Sequence, residues 1–293
     1  MIHPDPLDQI DINRRLANAG SCARVRVLEQ CDSTNAVLGC ECAGSASGLV
    51  VTTDRQTNGR GRRGRAWIAP PGGSLAFSML WHLHRDAAAL SGLSLVAGVA
   101  VVTALTRLGD FPIALKWPND IWSDGAKLGG ILTETRIGTS GAGPIASIIG
   151  VGLNIRMDNE AIRAVAAAGQ AAPYPVTDLA SLRAKVPSRN ELLASIAAEL
   201  AVDLARFDIE GFRVFQARWN SMHALQNQWV TVWQADGSAI EARAIGAADD
   251  GALIVDVAGE RRLLHGGEIT VRPRAAGQVV AQASDVQTLG ARA

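Results

Sequence analysis

The arginine-rich segment 54–67 is the stretch of the chain best suited to binding an anion. Its sequence, DRQTNGRGRRGRAW, places four arginines within six positions, separated by glycines and followed by a tryptophan. A guanidinium group donates hydrogen bonds in a planar fork that suits carboxylates and phosphates, and glycine lets the backbone approach a ligand closely. Two like charges about 7 Å apart repel by roughly 0.6 kcal/mol even in water. Crowding several of them predicts a segment that needs an anionic partner.

The segment alone leaves several interpretations open. GRGRRG has the spacing of a dinucleotide-binding loop, but the residues after it, with Pro70 and Pro71, cannot begin the helix that such a loop requires. The chain contains no G-x-x-x-x-G-K-[ST] and no D-F-G, which argues against a Walker loop and a protein kinase. An RNA-binding segment and a solvated basic loop both remain compatible with the composition.

Composition and charge indicate a soluble globular protein. The chain has 293 residues, 48% apolar and 19% charged, with a formal net charge of zero. This length suits one large domain or a domain with a smaller companion, and the zero net charge argues against bulk nucleic acid as the main partner. Met1–Pro6 does not resemble a signal peptide. The apolar stretch near Leu93–Leu108 is interrupted by polar residues and is predicted to be a buried helix rather than a membrane span, so we expect a cytoplasmic protein without a membrane partner.

The four cysteines do not form a recognisable metal or disulfide pattern. They all lie within the first 42 residues, at Cys22, Cys31, Cys40 and Cys42, with no C-x-x-C pair and no nearby histidine. Reduced thiols are the expected state, and the sequence predicts no metal site made by protein ligands.

Hydrophobic periodicity predicts an alternation of strands and helices over the first part of the chain. Helices are predicted over 7–19, directly after Ser33 and over Ala87–Leu108. Strands are predicted over Arg24–Gln30, Leu49–Thr53, Ser74–His82, 114–117, Lys127–Thr135 and Ile145–Leu153.

The pattern changes twice in the second half of the chain. Helices are predicted first, over 158–168, Leu179–Val186, Asn190–Arg206 and Glu210–Ser221. Short strands separated by turns follow, over Trp229–Trp233, Ala239–Ile245, Ala252–Val257, Glu260–Leu264 and Glu268–Val271, as in a small barrel or sandwich. The predicted organisation is an N-terminal helical segment (1–20), a main domain (21–224), a small β domain (225–273) and a flexible tail (274–293).

Three further motifs accompany the arginine-rich segment. They are KWPND at 116–120 followed by KLGGIL at 127–132, GVGLN at 150–154, and Ser33-Thr34-Asn35 at a strand-to-helix turn. Paired glycines in a strand often mark a close approach of the backbone to a ligand. In their order and spacing across about residues 30–155, these motifs closely resemble the biotin–protein ligases. On less specific features, the terminal β segment resembles the SH3-like module of those enzymes.

The resemblance implies a fold and a reaction. The fold is α+β, with a mixed β-sheet and flanking helices of the class II synthetase-like kind, plus a small C-terminal SH3-like β-barrel. The reaction has two steps, in which biotin and ATP form biotinyl-5′-AMP and pyrophosphate, and a lysine of a biotin carboxyl carrier domain of acetyl-CoA carboxylase then attacks the mixed anhydride. Bringing a carboxylate to a polyphosphate requires cations around the α-phosphate, and Mg²⁺ is expected to arrive with the nucleotide.

The resemblance also implies roles for individual residues. Contacts with the biotin head are expected from Ser33, Thr34, Asn35 and Gln56. Arg60, Gly61 and Arg62 are expected to fold over biotin and the phosphates. Arg62 and Lys127 are expected to be catalytic, with Lys127 bridging the biotin carboxylate and the α-phosphate. Nucleotide contacts are expected from Arg62, Arg65, Asn119, Lys127 and Asn154. Supporting roles are expected for Trp67, as a wall beside biotin, and for Lys116 and Asp120, as an ion pair.

One feature departs from part of the family, and alternatives remain. Some biotin–protein ligases carry a helix-turn-helix domain and repress biotin operons, whereas only some thirty residues precede Ser33 here. We therefore expect no sequence-specific DNA binding, while a homodimer is compatible with the resemblance. A lipoate–protein ligase or octanoyl transferase of the same fold is the main alternative, and a pure binding module is the other.

Overall fold

The computed structural model describes residues 5–137, 143–167, 174–233, 237–266 and 270–273. A seven-stranded sheet forms the centre of the main domain. Its strands, in chain order, are β1 (Arg24–Leu28), β2 (Leu49–Thr53), β3 (Ser74–Leu83), β4 (Ala114–Lys116), β5 (Asp120–Ser123), β6 (Ala126–Arg136) and β7 (Ile145–Asn154). The strand order is β1-β2-β3-β7-β6-β5-β4, with β1 and β2 parallel and the other neighbours antiparallel. The expected mixed sheet is therefore confirmed.

Helices cover both faces of this sheet. In chain order they are α1 (Gln9–Asn18), α2 (Thr34–Glu41), α3 (Leu93–Leu108), α4 (Asn159–Ala167), α5 (Leu179–Leu182), α6 (Arg189–Glu210) and α7 (Gln216–Ser221). The large core contains α3 and α6, while α2 packs on a separate cluster formed with Val51, Leu80 and Ile148. Since successive strand residues point to opposite faces, Val50 and Val51 contribute to different clusters.

The apolar segment Ala87–Leu108 belongs to the core. Among the described residues it is the one helical segment long and apolar enough to cross a membrane, with a mean hydropathy of 2.1, and 78% of it is buried within the protein. A short 3₁₀ turn over Ala87–Leu90 precedes α3, so the predicted single helix is divided in two.

A second, smaller sheet follows α7. Its strands are β8 (Trp229–Trp233), β9 (Ala239–Ala247), β10 (Leu253–Val257), β11 (Glu260–Leu264) and β12 (Thr270–Pro273). They are antiparallel in the order β11-β10-β9-β8-β12. Trp117 Nε1 donates to the Gly251 carbonyl at 3.1 Å and joins this sheet to the main domain. The expected flexible tail, 274–293, lies outside the described residues.

One strand was not predicted, and the bounds of α5 and α6 differ from the prediction. Strand β5 was missed because four residues after Pro118 are too few to show an alternation. Helix α6 continues through 207–209, where a break was predicted, because Phe207 is fully buried in the core and Gly211, with φ of 75°, provides the end. Helix α5 stops at Leu182 rather than Val186, since Arg183 is extended.

A buried arginine ties three segments together at the base of the arginine-rich segment. Arg189 is 2% exposed and its guanidinium contacts Asp5, Asp54 and the Ser74 carbonyl. Asp54 begins the arginine-rich segment, and Ser74 begins β3. A buried charge is tolerated only when it is paired and hydrogen-bonded, so this contact fixes where the segment leaves the sheet.

Two titratable groups are buried among the helices, away from the arginine-rich segment. Burial, with the neighbouring charge of Glu199, raises the pKa of Asp203 to about 6, and its Oδ2 has no hydrogen-bond partner. Arg218, Arg206 and Arg107 oppose this increase. Burial lowers the pKa of His223 to about 4.

Candidate active site

One cavity brings together all of the residues singled out in the sequence. It lies against strands β3, β6 and β7 of the large sheet, where α2 begins and where the arginine-rich segment folds back. The sequence-derived residues that line it are Ser33, Thr34, Asn35, Gln56, Arg60, Gly61, Arg62, Arg65, Trp67, Lys116, Asn119, Asp120, Lys127 and Asn154. The structure thus places these residues together, while their individual roles stay predictions.

A chain of hydrogen bonds crosses the floor of the cavity. The Thr34 backbone N–H donates to Gln56 Oε1 at 2.9 Å, and the Thr34 and Ser78 hydroxyl oxygens are 2.7 Å apart. Ser78 donates to Asn35 Oδ1 at 2.5 Å, and Asn35 Nδ2 donates to Glu134 Oε2 at 2.7 Å. Thr34 and Asn35 are buried because they form the first turn of α2 against the sheet. This arrangement gives the cavity a set of oriented donors and acceptors.

The arginine-rich segment forms a compact hairpin over the cavity. Trp67 N–H donates to the Gly59 carbonyl at 2.8 Å, and Gly61 N–H donates to the Arg65 carbonyl at 2.7 Å. Arg62 Nη1 donates to Asn119 Oδ1 at 3.1 Å. Burial lowers the pKa of the Arg62 guanidinium, and the neighbouring charge of Arg63 acts in the same direction. The segment therefore holds Arg62 in a partly desolvated position, whereas Arg60, Arg63 and Arg65 are exposed.

Arg60 faces the acidic end of the hydrogen-bond chain. Its Nη1 lies 3.7 Å from Glu134 Oε1, and both side chains are partly exposed. Arg136 approaches the same Glu134 oxygen at 4.0 Å. Exposed pairs of this kind contribute little stability. The contact therefore affects the orientation of the Arg60 side chain and adds little to the stability of the fold.

The glycines of the motifs make room for protein groups. A Cβ atom on Gly152 would overlap the indole of Trp67, and one on Gly150 would overlap the Asn35 amide. A Cβ on Gly129 would meet the Gly152 carbonyl at 2.5 Å. Close approach to a ligand was expected at Gly129, whereas the group that lies close in the structure is the Gly152 carbonyl of the neighbouring strand.

Asp120 lies between two lysines. Its Oδ1 is 2.6 Å from Lys127 Nζ and its Oδ2 is 3.1 Å from Lys116 Nζ, so the predicted Lys116–Asp120 pair is present and Lys127 joins it. Burial would raise the pKa of Asp120, but the two lysines outweigh it and the pKa falls below its usual value. Burial lowers the pKa of Lys116, whose ammonium group also lies over the Tyr174 ring.

The asparagines expected to hold a nucleotide also hold the cavity wall. Asn119 Nδ2 donates to the Ile131 carbonyl at 2.8 Å, and Asn154 Nδ2 donates to the Thr177 carbonyl at 3.0 Å. The Lys127 backbone N–H donates to the Pro175 carbonyl at 2.8 Å. These contacts connect the wall to residues 174–177, which follow an undescribed stretch.

Sequence reasoning missed three residues of the site. Ser78 lies in the middle of β3 and Glu134 near the end of β6, whereas Tyr174 lies in a loop. The signals available were a polar residue in a strand otherwise buried, a carboxylate two residues after KLGGIL, and the single tyrosine of the chain. Among the described residues no group of three or more His, Cys, Asp or Glu side chains is arranged to hold a metal ion.

The fold and the site together define a ligase class. The chain matches the model of the biotin/lipoate A/B protein ligase family over residues 27–154. This range contains the whole hydrogen-bond chain, the arginine-rich segment and the three motifs.

Comparison with individual proteins identifies the branch of this class. The chain is 33% identical over 269 residues to the bifunctional ligase/repressor BirA of Escherichia coli, covering 92% of this chain and 80% of that protein. It is 31% identical over 271 residues to the biotin–[acetyl-CoA-carboxylase] ligase of Mycobacterium tuberculosis, covering 90% of this chain and 95% of that enzyme. The chain belongs to the biotin–protein ligase family.

A solved structure supports the fold. The biotin protein ligase of Aquifex aeolicus, determined in complex with biotin and ATP, superposes with a TM-score of 0.69, with 24% identity over 85% of this chain and 99% of that chain. At this identity the likeness is evidence for the architecture. It confirms the mixed sheet with flanking helices that the sequence implied.

Proposed function

We propose that this protein is an ATP-dependent biotin–protein ligase that activates biotin as biotinyl-5′-AMP and transfers it to a lysine of a carrier domain. The observation that carries this proposal is the convergence of a hydrogen-bonding floor, the partly desolvated Arg62 and the Lys127–Asp120–Lys116 triplet in one cavity. The similarity to the biotin–[acetyl-CoA-carboxylase] ligase of Mycobacterium tuberculosis supports it.

The first step needs positive charge beside two anions. A biotin carboxylate oxygen attacks the α-phosphorus of ATP, a new P–O bond forms, and the bond to the pyrophosphate oxygen breaks. Lys127 is a compact charge on a flexible stem, suited to lie between two oxyanions. Arg62 already points into the cavity through its bond to Asn119. Fixed charges of this kind stabilise the transition state without reorganising during the reaction.

The second step transfers the acyl group. The amine of a carrier lysine attacks the acyl carbon of the mixed anhydride, a C–N bond forms, the C–O bond to phosphate breaks, and AMP leaves with its electron pair while the amine loses a proton. Lys116 and Lys127 are both held in place by Asp120, at 3.1 Å and 2.6 Å from its carboxylate oxygens.

The magnesium ion belongs with the nucleotide in this proposal. Asp120 is the one carboxylate among the described residues that line the cavity, and both of its oxygens face lysines. Asp120 is therefore placed to neutralise the two lysines. Phosphate oxygens and water are the ligands that Mg²⁺ prefers in such sites. Mg²⁺ would supply neutralisation of the leaving pyrophosphate.

The partners and setting are also proposals. The carrier is a biotin carboxyl carrier domain of acetyl-CoA carboxylase, in line with the name of the Mycobacterium tuberculosis relative. We propose a cytoplasmic enzyme without sequence-specific DNA binding and able to form a homodimer. The five-stranded C-terminal sheet is proposed to be the SH3-like domain, supported by its five short antiparallel strands.

Pyrophosphate exchange tests the function directly. Purified protein with ATP, Mg²⁺ and labelled pyrophosphate should form labelled ATP only when biotin is added. Exchange that depends on lipoate would support a lipoate ligase, and absence of exchange with either acid would support a binding module. Transfer is then measured on a biotin carboxyl carrier domain, with a Lys→Arg change at its acceptor position as the matched control.

A further inference from the structure

The hydrogen-bond chain on the cavity floor ends at a group that can only accept. Glu134 Oε2 lies 2.7 Å from Asn35 Nδ2, and an ionised carboxylate offers no proton. The carboxylate therefore fixes the Asn35 amide with its nitrogen toward Glu134 and its oxygen toward Ser78.

The fixed amide determines the direction of the next two hydrogen bonds. Asn35 Oδ1 accepts from Ser78, at 2.5 Å, and this uses the only proton of the Ser78 hydroxyl. Thr34 Oγ1, 2.7 Å from Ser78 Oγ, must then be the donor of that contact. Its remaining neighbour is Gln56 Oε1 at 3.3 Å, which is also an acceptor. Toward a ligand in the cavity, the Thr34 hydroxyl can therefore only accept.

The opposite end of the chain is fixed independently. Gln56 Oε1 accepts from the Thr34 backbone N–H, which leaves Gln56 Nε2 as a donor. A cyclic urea presents N–H donors and a carbonyl acceptor, so an acceptor at Thr34 beside a donor at Gln56 is the complementary pair. Both side chains line the cavity.

We propose that Glu134 is a positioning residue that sets the hydrogen-bond polarity of the ureido subsite through Asn35 and Ser78. The proposal rests on the proposed function, because it assumes a urea-bearing ligand. Without the negative carboxylate, the Asn35 amide can flip so that its nitrogen faces Ser78. Ser78 can then donate its proton to Thr34, and the Thr34 hydroxyl proton points toward an N–H group of the ligand. Two donors would then face each other, and an unsatisfied buried donor is costly.

The test is a double-mutant cycle with the isosteric change Glu134→Gln and the truncation Ser78→Ala. We expect each single variant to raise the dissociation constant for biotin about tenfold in calorimetric titration, equivalent to about 1.4 kcal/mol. Because both changes interrupt the same chain of hydrogen bonds, the double variant should bind biotin only about tenfold more weakly than the wild-type protein. Independent effects would weaken binding about a hundredfold. Affinity for ATP should stay within twofold in all three variants.

Glu41→Gln is the matched control. It removes the same charge from a partly exposed pair, in which Glu41 lies 2.7 Å from Arg26, and neither residue lines the cavity. Its biotin affinity should equal that of the wild-type protein. Thermal unfolding of each variant shows whether a weaker biotin affinity results from loss of the fold or from changed hydrogen-bond directions at Thr34.

The outcomes distinguish this inference from the proposed function. An unchanged biotin affinity in Glu134→Gln would overturn the role proposed for Glu134, and so would a hundredfold loss of affinity in the double variant. The second result would indicate that Glu134 acts through Arg60, whose Nη1 lies 3.7 Å from Glu134 Oε1. A wild-type protein that fails to bind biotin would instead overturn the proposed function.

Discussion

Replacing Lys127 by methionine is the most direct test of the chemistry proposed for the cavity. The change keeps the length of the stem and removes the charge 2.6 Å from Asp120 Oδ1. Asp120 keeps its second partner, since Lys116 Nζ lies 3.1 Å from Oδ2. The variant should therefore fold, and a loss of activity will report on the missing charge.

The expected magnitude follows from the place of this charge. Removing one preorganised group that stabilises a developing oxyanion costs on the order of 3 kcal/mol, or about 100-fold in rate. The Lys127 side chain is 28% exposed, so water restores part of the stabilisation, and about 100-fold is the upper end of the expected effect. The floor contacts around Thr34 are untouched, so biotin affinity should fall much less than the rate of adenylate formation.

Rapid-quench measurement of biotinyl-5′-AMP formation, together with calorimetric titration of biotin, separates the two quantities. Lys185→Met is the matched control, because Lys185 is the one lysine of the chain that does not line the cavity and it is exposed. An adenylation rate in Lys127→Met equal to that of the control would refute the catalytic role and make Lys127 a structural partner of Asp120.

Three further predictions concern other parts of the molecule. Trypsin cleavage within 58–66 should slow when biotin and ATP bind, because the ligands compensate the crowded charges, while cleavage at the exposed Arg261 stays unchanged; equal protection of both would contradict this. Arg189→Met should lower the free energy of unfolding by about 2 kcal/mol in denaturant titration, because it leaves buried acceptors unpaired, and an unchanged midpoint would count against it. The folded pKa of Asp203, about 6, exceeds its usual 3.8, so the folded state loses stability as pH rises between these values. Asp203→Asn should therefore gain about 1 kcal/mol relative to the wild type at pH 7.5 and nothing at pH 4, whereas an equal gain at both would exclude titration of Asp203 as the cause.

The sequence predicts elements well where the local pattern is complete. Strands β2, β8 and β11 have the predicted bounds. In β2 and β8 β-branched or alternating residues lie between turn residues, while β11 directly follows the Ala258-Gly259 turn. Helix α6 was predicted to be too short, since the burial of Phe207 against the core overrides a locally weak helical pattern. Strand β5 escaped prediction because its existence depends on pairing with β4 and β6, which no local pattern reveals.

The site was predictable as a set of residues but not as a network. Recognisable motifs were enough to collect the residues that line the cavity, as the resemblance to biotin–protein ligases implied. The bond from Asn35 to Glu134 joins residues 99 positions apart, and it depends on the register of β6 in the sheet. Likewise, Lys127 and Asp120 meet across the β5–β6 hairpin, whose register shifts between Ile121 and Trp122. Such contacts follow from strand register, which single-sequence patterns do not specify.

The charge distribution of the cavity connects its two proposed substrates. Among the described lining residues there are six basic side chains and one carboxylate, Asp120. An excess of fixed cations destabilises the empty cavity and favours ligands that bring several negative charges. Biotin alone supplies a single carboxylate, whereas a triphosphate supplies most of the required charge. In the proposed reaction, loss of pyrophosphate after adenylation would leave one phosphate among the same cations, so we expect the site to retain the adenylate electrostatically until a carrier lysine arrives. The arginine-rich segment is therefore expected to matter for holding the intermediate as well as for forming it.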